Sequence, residues 1–341
     1  FEGQEVFVTD RTRFNAKFHE FRAEAGREYS IVIEFEVTSA DPEFKLLWST
    51  DRTGGFEEAL EIAREADAVL FFGGTNHLYD KEGIGWGDVP GADIPDLELI
   101  GPQAELISAV AAVNPCTAVV LINGSVVNVE KWYDQIPAIL EAWYPGQESG
   151  NAIAEVIFGQ AVPGGKLCCT WGKRLNDYAC HANGSYPGVR GDDNPHVDYN
   201  EGLFIGYRYF DREGIEPRFP FGFGLSYTTF KCDLVKLEVP GDHRVKAQVR
   251  VTNTGIYRGS EVVQLYVGDD ECSFERPRKE LKAFGKVVLE PGESAVVELL
   301  LGWRDFAFWN PESRHWEAEP GSFTLYFGTS ARDIFAKRSV G

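Results

Sequence analysis

Residues 57–74, EEALEIAREADAVLFFGG, carry the reading that decides the fold. In the first eleven residues apolar positions recur at helical spacing; AVLFFGG is then a short continuous apolar run ending in two glycines. The same order returns downstream. PQAELISAVAAVN (102–114) is helical in pattern and TAVVLING (117–124) reads as a buried strand, then AILEAWYPG (138–146) repeats the strand and GNAIAEVIFG (150–159) the helix. Apolar strands separated by helices of this length imply a mainly parallel sheet covered on both faces. In such sheets ligands gather where strands end and loops begin. Directly after Gly73–Gly74 comes YDKEGIGWGDVPGADIPD (79–96), with Asp80, Glu82, Asp88, Asp93 and Asp96, and Glu98 just beyond. An acidic loop is ordinarily only a solvated surface, but its place after a strand end makes these carboxylates candidates for chemistry.

From about residue 230 the texture changes. VKAQVRVTNTG, SEVVQLYVG, GKVVLEPGE, SAVVELLL and GSFTLYFGTS alternate apolar and polar residues between evenly spaced turns, which implies an antiparallel β-sandwich. Between the two regions, residues 199–230 are dense in aromatics and glycine and read as an ordered wrap. The first fifty residues, with AGREYSIVIEFEV and FKLLWST, are also β-like. The expected organisation is three segments: 1–50, an incomplete β unit; 51–229, α/β; and 230–341, all-β.

Composition narrows the function. With 341 residues, 43% hydrophobic and 25% charged, the chain is globular and long enough for more than one domain. A net charge of -20 argues against a nucleic-acid partner, and no apolar run is long enough to span a bilayer. Six cysteines are too few for a disulfide framework, although one bridge from Cys168 or Cys169 to Cys180 would suit a secreted protein. The adjacent pair lacks the spacing of a zinc site, so no metal is expected. GQAVPGGKL (159–167) fails as a phosphate-binding loop, because Gln160 stands where glycine is needed and Leu167 where Ser or Thr is needed. GFGLSY (222–227) reads as a tight aromatic turn, and no G-x-S-x-G elbow occurs. Carboxylate acid/base chemistry remains. The chain starts at Phe1 and contains no methionine, which suggests a piece of a longer polypeptide.

Several long motifs carry a family resemblance. Residues 138–167, VDYNEGLFIGYRYFD (197–211) and PRFPFGFGLSYTTF (217–230) resemble the C-terminal half of glycoside hydrolase family 3. VRVTNTGIYRGSEVVQLYVGD (249–269) and RPRKELKAFGKVVLEPGES (276–294) resemble the fibronectin type III-like module that ends many β-glucosidases of that family. EAGREYSIVIEFEV (24–37) with FKLLWS (44–49) is similar to the closing strands of a PA14 domain, which some members carry as an insert. The implied fold is an α/β sandwich domain with a mainly parallel sheet, then an all-β fibronectin III-like sandwich, after a short β segment from a PA14-like domain.

The resemblance also implies chemistry. Family members hydrolyse glycosides with retention, using a nucleophilic Asp from an N-terminal (β/α)8 barrel and an acid/base Glu from the α/β sandwich. No barrel or nucleophile motif is present here, so the barrel is the implied partner and an oligosaccharide or glycoside the implied substrate, with no cofactor. A homodimer is compatible with this reading, and so is β-xylosidase specificity or a non-catalytic carbohydrate-binding scaffold. TNHLYDKEG (75–83) keeps the family's Thr-Asn start and Glu-Gly end, which makes Glu82 the acid/base by resemblance. DIPDLEL (93–99) fits the following Asp-Arg only at Asp93, and IGWGDVPGA (84–92) is inserted before it. Tyr79 and Trp86 are the aromatic neighbours suited to binding a sugar face. Of two N-x-S sequons, Asn123 ends a buried strand, whereas Asn183 lies among polar residues and is the candidate glycosylation site of a secreted, extracellular protein. A cytoplasmic location is left open.

Overall fold

The computed structural model describes residues 24, 26–32, 56–75, 96–186, 188–189, 196–241 and 243–341. The chain forms two compact units, one of Phe1–Gly124 with Lys131–Glu141, the other of Ser125–Glu130 with Ala142–Gly341. No helix among the described residues is long and apolar enough to cross a membrane.

In the first unit α1 (Phe56–Glu65), β1 (Val69–Gly74), α2 (Gln103–Val113), β2 (Thr117–Ile122) and β3 (Ala138–Glu141) follow the expected alternation. The strands form a parallel sheet in the order β1-β2-β3. β2 is central, and Val119, Val120 and Leu121 are buried on both its faces, as a continuous apolar run requires. α2 turns Ala104, Ile107, Val110 and Ala111 inward, a helical stripe. Buried Asn114 closes the end of α1, donating from Nδ2 to the Ala63 and Ala66 carbonyls at 2.9 and 2.8 Å. Those carbonyls have no partner within the helix, so the side chain supplies one. Among the described residues β1 is an edge strand. On it, Leu70 and Phe72 are 42% and 54% exposed, so their side of β1 is only partly covered by the described residues.

The stretch resembling the end of a PA14 domain lies outside the described residues except for 24 and 26–32, which carry a turn and no strand.

In the second unit, α3 (Ser149–Ile157), α4 (Ala179–Ala182) and α5 (Tyr207–Glu213) precede the sandwich. Its strands are β4 (Phe230–Gly241), β5 (Arg244–Asn253), β6 (Gly259–Asp269), β7 (Glu280–Leu289), β8 (Ser294–Leu301), β11 (Phe323–Gly328) and β12 (Ile334–Val340). A short α6 (Trp303–Phe306) and the hairpin β9 (Phe308–Asn310) and β10 (His315–Glu317) lie between β8 and β11. Two antiparallel sheets, β12-β11-β6-β7 and β4-β5-β8, face each other across one core. On β5 the inward residues Val245, Ala247, Val249 and Val251 are all buried, the period-two pattern of a one-faced strand. β6 departs from that alternation, with Val263 to Gly268 all buried. The aromatic wrap covers its outer face, where the Tyr207 ring meets Tyr266 edge-on at 5.7 Å and lies tilted against Phe221 at 5.3 Å.

The rejected phosphate loop has a structural role in this unit. A Cβ on Gly164 would stand 2.0 Å from Ser260 Oγ, and one on Gly224 would stand 2.3 Å from the Gly165 carbonyl oxygen. Lys166 then pairs with Glu261 at 2.7 Å, and Lys286 donates to the Gly164 carbonyl at 2.9 Å. Gly164 permits close approach to β6 and Gly224 to the Gly165 carbonyl, while Lys166 ties the loop to β6 and Lys286 ties it to β7. GFGLSY is a turn as read: Gly222 has φ +82° and its N–H donates to Leu167. All six cysteines are free, so the bridge from Cys168 or Cys169 to Cys180 does not form.

Candidate active site

At the carboxyl end of the parallel sheet β1 gives way to the acidic loop. Gly74 takes φ +138°, and a Cβ there would fall 1.9 Å from the Ile122 carbonyl oxygen, so only glycine lets β1 and β2 close at this point. The Thr75 N–H donates to that same carbonyl at 3.0 Å, carrying the ladder one residue past the strand. Gln103, the first residue of α2, grips both backbone groups of Gly74. Its Oε1 accepts the Gly74 N–H at 2.8 Å, and its Nε2 donates to the Gly74 carbonyl at 2.9 Å and the Ile100 carbonyl at 3.0 Å.

Glu82, Tyr79 and Trp86 lie outside the described residues, as do Asp80, Asp88 and Asp93. The returning end of the loop is described. Asp96 accepts the Glu98 N–H at 2.8 Å, an Asx turn that commits this carboxylate to loop structure, and Leu99 is buried. Glu98 pairs with Lys131 at 3.0 Å; its hydrogen bond and charge raise the lysine above its ordinary range. Asn123 at the end of β2 is fully buried, with Nδ2 3.5 Å from Glu141 Oε2 at the end of β3. Asn183 is exposed at the end of α4, its Oδ1 accepting the Ser185 N–H at 2.9 Å.

The second unit holds several buried carboxylates, each engaged. Asp177 accepts the backbone N–H groups of Lys173 and Arg174 at 2.9 and 3.1 Å, and the Arg174 guanidinium. Asp211 binds Lys279 and lies 3.3 Å from Arg332. Asp269 and Glu280 share the buried Arg276 at 2.9 and 2.7 Å. Burial alone would raise the Glu280 carboxyl, but the Arg276 hydrogen bond and the charges of Lys282, Arg276 and Arg208 outweigh it and hold it low. A proton donor needs the opposite shift. Asp269, Cys272 and Glu319 bring ligand-type atoms within 4.8 Å of one another, yet Arg276 already neutralises Asp269 and Ser273 donates to Glu319. These groups brace the fold.

Sequence reasoning also passed over Trp143, two residues beyond β3. Its φ of 53° is left-handed, which costs a bulky residue roughly 1–2 kcal/mol. The ring is held edge-on to Trp171 at 6.3 Å. A tryptophan between alanine and tyrosine gives no hint of that backbone.

Residues 11–227 match the glycosyl hydrolase family 3 C-terminal domain. The chain belongs to glycosyl hydrolase family 3. Residues 261–331 match the fibronectin type III-like domain that the antiparallel sandwich embodies. Among family 3 relatives, a β-glucosidase of Rhizobium radiobacter is 40% identical over 93% of this chain. An exo-α-(1→6)-L-arabinopyranosidase of Bifidobacterium breve is 41% identical over 81%. The crystal structure of a GH3 β-glucosidase of Bifidobacterium adolescentis superposes with a TM-score of 0.78 at 42% identity, covering 86% of this chain and 41% of that one. The chain spans 38% and 35% of the length of the two curated family 3 relatives.

Proposed function

We propose that this chain works as the C-terminal part of a retaining glycosidase of β-glucosidase type, supplying its acid/base through Glu82. The nucleophile then resides on an N-terminal barrel of the same enzyme, and the substrate is a β-linked oligosaccharide or glycoside. Family membership, together with relatives more than twice as long that bear glycosidase names, carries the reading. The departure of the acidic stretch from the carboxyl end of β1 supports it, because ligands of parallel sheets bind there. The part-exposed apolar side chains of Leu70 and Phe72 on β1 fit a polypeptide with more to cover them.

Retaining glycosidases need two carboxyl groups about 5–5.5 Å apart, one attacking the anomeric carbon while the other protonates the leaving oxygen. Glu82 gives its proton in the first step and recovers it from water in the second. Tyr79 and Trp86 stack on the sugar and exclude water. Close identity to both a β-glucosidase and an arabinopyranosidase leads us to test aryl glycosides of both sugars.

The isolated chain should turn over neither. In the complete enzyme, Glu82→Ala should abolish hydrolysis of sugar-alkoxide leaving groups by ~10²–10⁴-fold. It should retain attack on dinitrophenyl glycosides and release a β-glycosyl azide when azide is added. Trp86→Ala should weaken oligosaccharides several-fold more than aryl glycosides. Azide rescue at Asp88→Ala in place of Glu82→Ala, or turnover by the isolated chain, would overturn the assignment.

A further inference from the structure

The geometry points to a glycan-binding platform in the fibronectin type III-like domain, built from Trp309 and Trp316 on the β9–β10 hairpin and suited to a single neutral β-glucan chain. The choice of a β-glucan rests on the function proposed above; the platform itself uses no residue of the acidic loop. Among the described residues the hairpin pairs only with itself, outside both sheets of the sandwich. Along β9 burial alternates: Phe308 packs inward against Phe274 at 5.4 Å, whereas Trp309 is 49% exposed. Its cross-strand partner is Trp316, 41% exposed, and the two rings lie 5.7 Å apart. They stand on a rigid mount. Asn310 closes the turn, its Oδ1 accepting the Glu312 and Ser313 N–H groups at 2.8 and 3.2 Å and its Nδ2 donating to Glu317 at 2.9 Å. Ser313 donates to the other Glu317 oxygen, and the Arg304 guanidinium lies over the Trp316 ring. These contacts exist without a ligand, so little ordering remains to oppose binding.

Size and charge select the occupant. At these exposures the two indoles offer roughly 200 Å² together, far below the ~800 Å² that each partner of a stable protein interface buries. A second copy of the chain would need much more. A pyranose needs less: its C–H face packs on one indole while its hydroxyls reach polar groups at the rim. Glu312, Ser313, Arg314 and His315 are all exposed there and carry both signs, so the rim favours a neutral, hydroxyl-rich ligand. The net charge of -20 repels nucleic acid and anionic lipid alike. The ring planes are inclined at 62°, so they cannot both lie flat on a crystalline sheet of chains. A single disordered chain can turn from one ring to the other.

The test measures depletion of the complete enzyme by amorphous cellulose, with saturating glucose present to keep the active site occupied. Trp309→Ala/Trp316→Ala should weaken retention roughly 10- to 100-fold. Trp309→Leu/Trp316→Leu keeps apolar surface without a flat ring and should weaken it as much, whereas Trp309→Tyr/Trp316→Tyr should retain most of it. Tm and turnover of a small soluble aryl β-glucoside report folding, and the alanine variant should stay within about 2 °C and twofold of the parent. Retention that survives alanine, that leucine preserves or that glucose abolishes overturns the proposal. So does a dimer, seen by light scattering, that the alanine variant converts to a monomer, because the rings would then hold a second copy. A large fall in Tm with retention unchanged also overturns it, since the rings would be packing against the rest of the polypeptide. The two readings separate cleanly. Aryl β-glucoside turnover without tryptophan-dependent retention sinks the platform alone. Tryptophan-dependent retention with no turnover of any β-glucoside sinks the hydrolase reading and leaves the platform standing.

Discussion

Replacing Asp211 by alanine should destabilise the second unit more than any single surface change. The Asp211 and Lys279 side chains are only 3% and 6% exposed, and they hydrogen-bond to each other. Arg332 adds a second cation 3.3 Å from the same carboxylate, and the rings of Tyr207 and Tyr266 each lie 5.9 Å from the lysine nitrogen. Without Asp211, Lys279 would be a buried charge with a second cation beside it and no anion to offset either. Breaking a buried pair in this way costs about 3–5 kcal/mol. In domains of 150–250 residues each kcal/mol moves Tm by about 2–4 °C, so a fall of roughly 6–20 °C is expected. The double variant Asp211→Leu/Lys279→Met removes both charges and should return to within about 1 kcal/mol of the parent or exceed it. The pH dependence has a defined sign. Burial pushes the Lys279 ammonium below its ordinary range, and the Asp211 hydrogen bond and charge recover only part of that. Losing Asp211 lowers the folded value further. The unfolded chain then binds more protons over a wider alkaline window, so Asp211→Ala should gain stability as pH rises toward the ordinary lysine value, more steeply than the parent. Urea and thermal unfolding followed by tryptophan fluorescence measure all three proteins. A cost under about 1 kcal/mol for Asp211→Ala, or a double variant worse than the single, would refute the reasoning.

Three further outcomes are expected. Gly164→Val should cost about 1–3 kcal/mol by overpacking against Ser260, whereas Gly165→Ala, whose Cβ meets nothing within 4 Å, should stay within about 0.5 kcal/mol in the same unfolding assay. In timed alkylation at pH 8 read by mass spectrometry, exposed Cys116 and Cys168 should react first. Cys232, its thiol pushed up to about 12 mainly by burial, should stay silent until the chain unfolds. Expressed through a eukaryotic secretory route, the protein should carry a glycan at exposed Asn183 and none at buried Asn123; a glycopeptide at Asn123 would contradict that assignment.

The parallel sheet was legible because each strand is a short apolar run between helical stretches, and TAVVLING sits at its centre as such a run should. The sandwich was legible in VKAQVRVTNTG, where alternation maps directly onto buried Val245, Ala247, Val249 and Val251. Alternation failed at β6, since what covers its outer face comes from residues 207–223, and a period-two pattern cannot register a distant partner. The same holds for Lys279, whose anion is 68 positions away, and for Gln103, which looks like any polar residue opening a helix. Glu82 was reached through motif resemblance; nothing in local periodicity separates it from the other acids of its loop.

The course of the backbone limits how this region can be exchanged between proteins. Residues 125–130 leave the first unit after β2, fold with the second, and return before β3, and Glu130 within that excursion forks onto Arg218 at 2.5 and 2.6 Å. The chain therefore passes between the units three times, at 124–125, 130–131 and 141–142. A recombination event at any one of those points would part residues that fold together: a cut at 141–142 leaves 125–130 behind with the first unit, and a cut at 124–125 or 130–131 parts 131–141 from it. The second unit cannot travel as an independent cassette cut at a single point, because six of its residues are encoded inside the other one. Inheritance should favour the two units as a block, and chimaeras joined at one boundary should fail unless the 125–130 excursion is matched to its new Arg218.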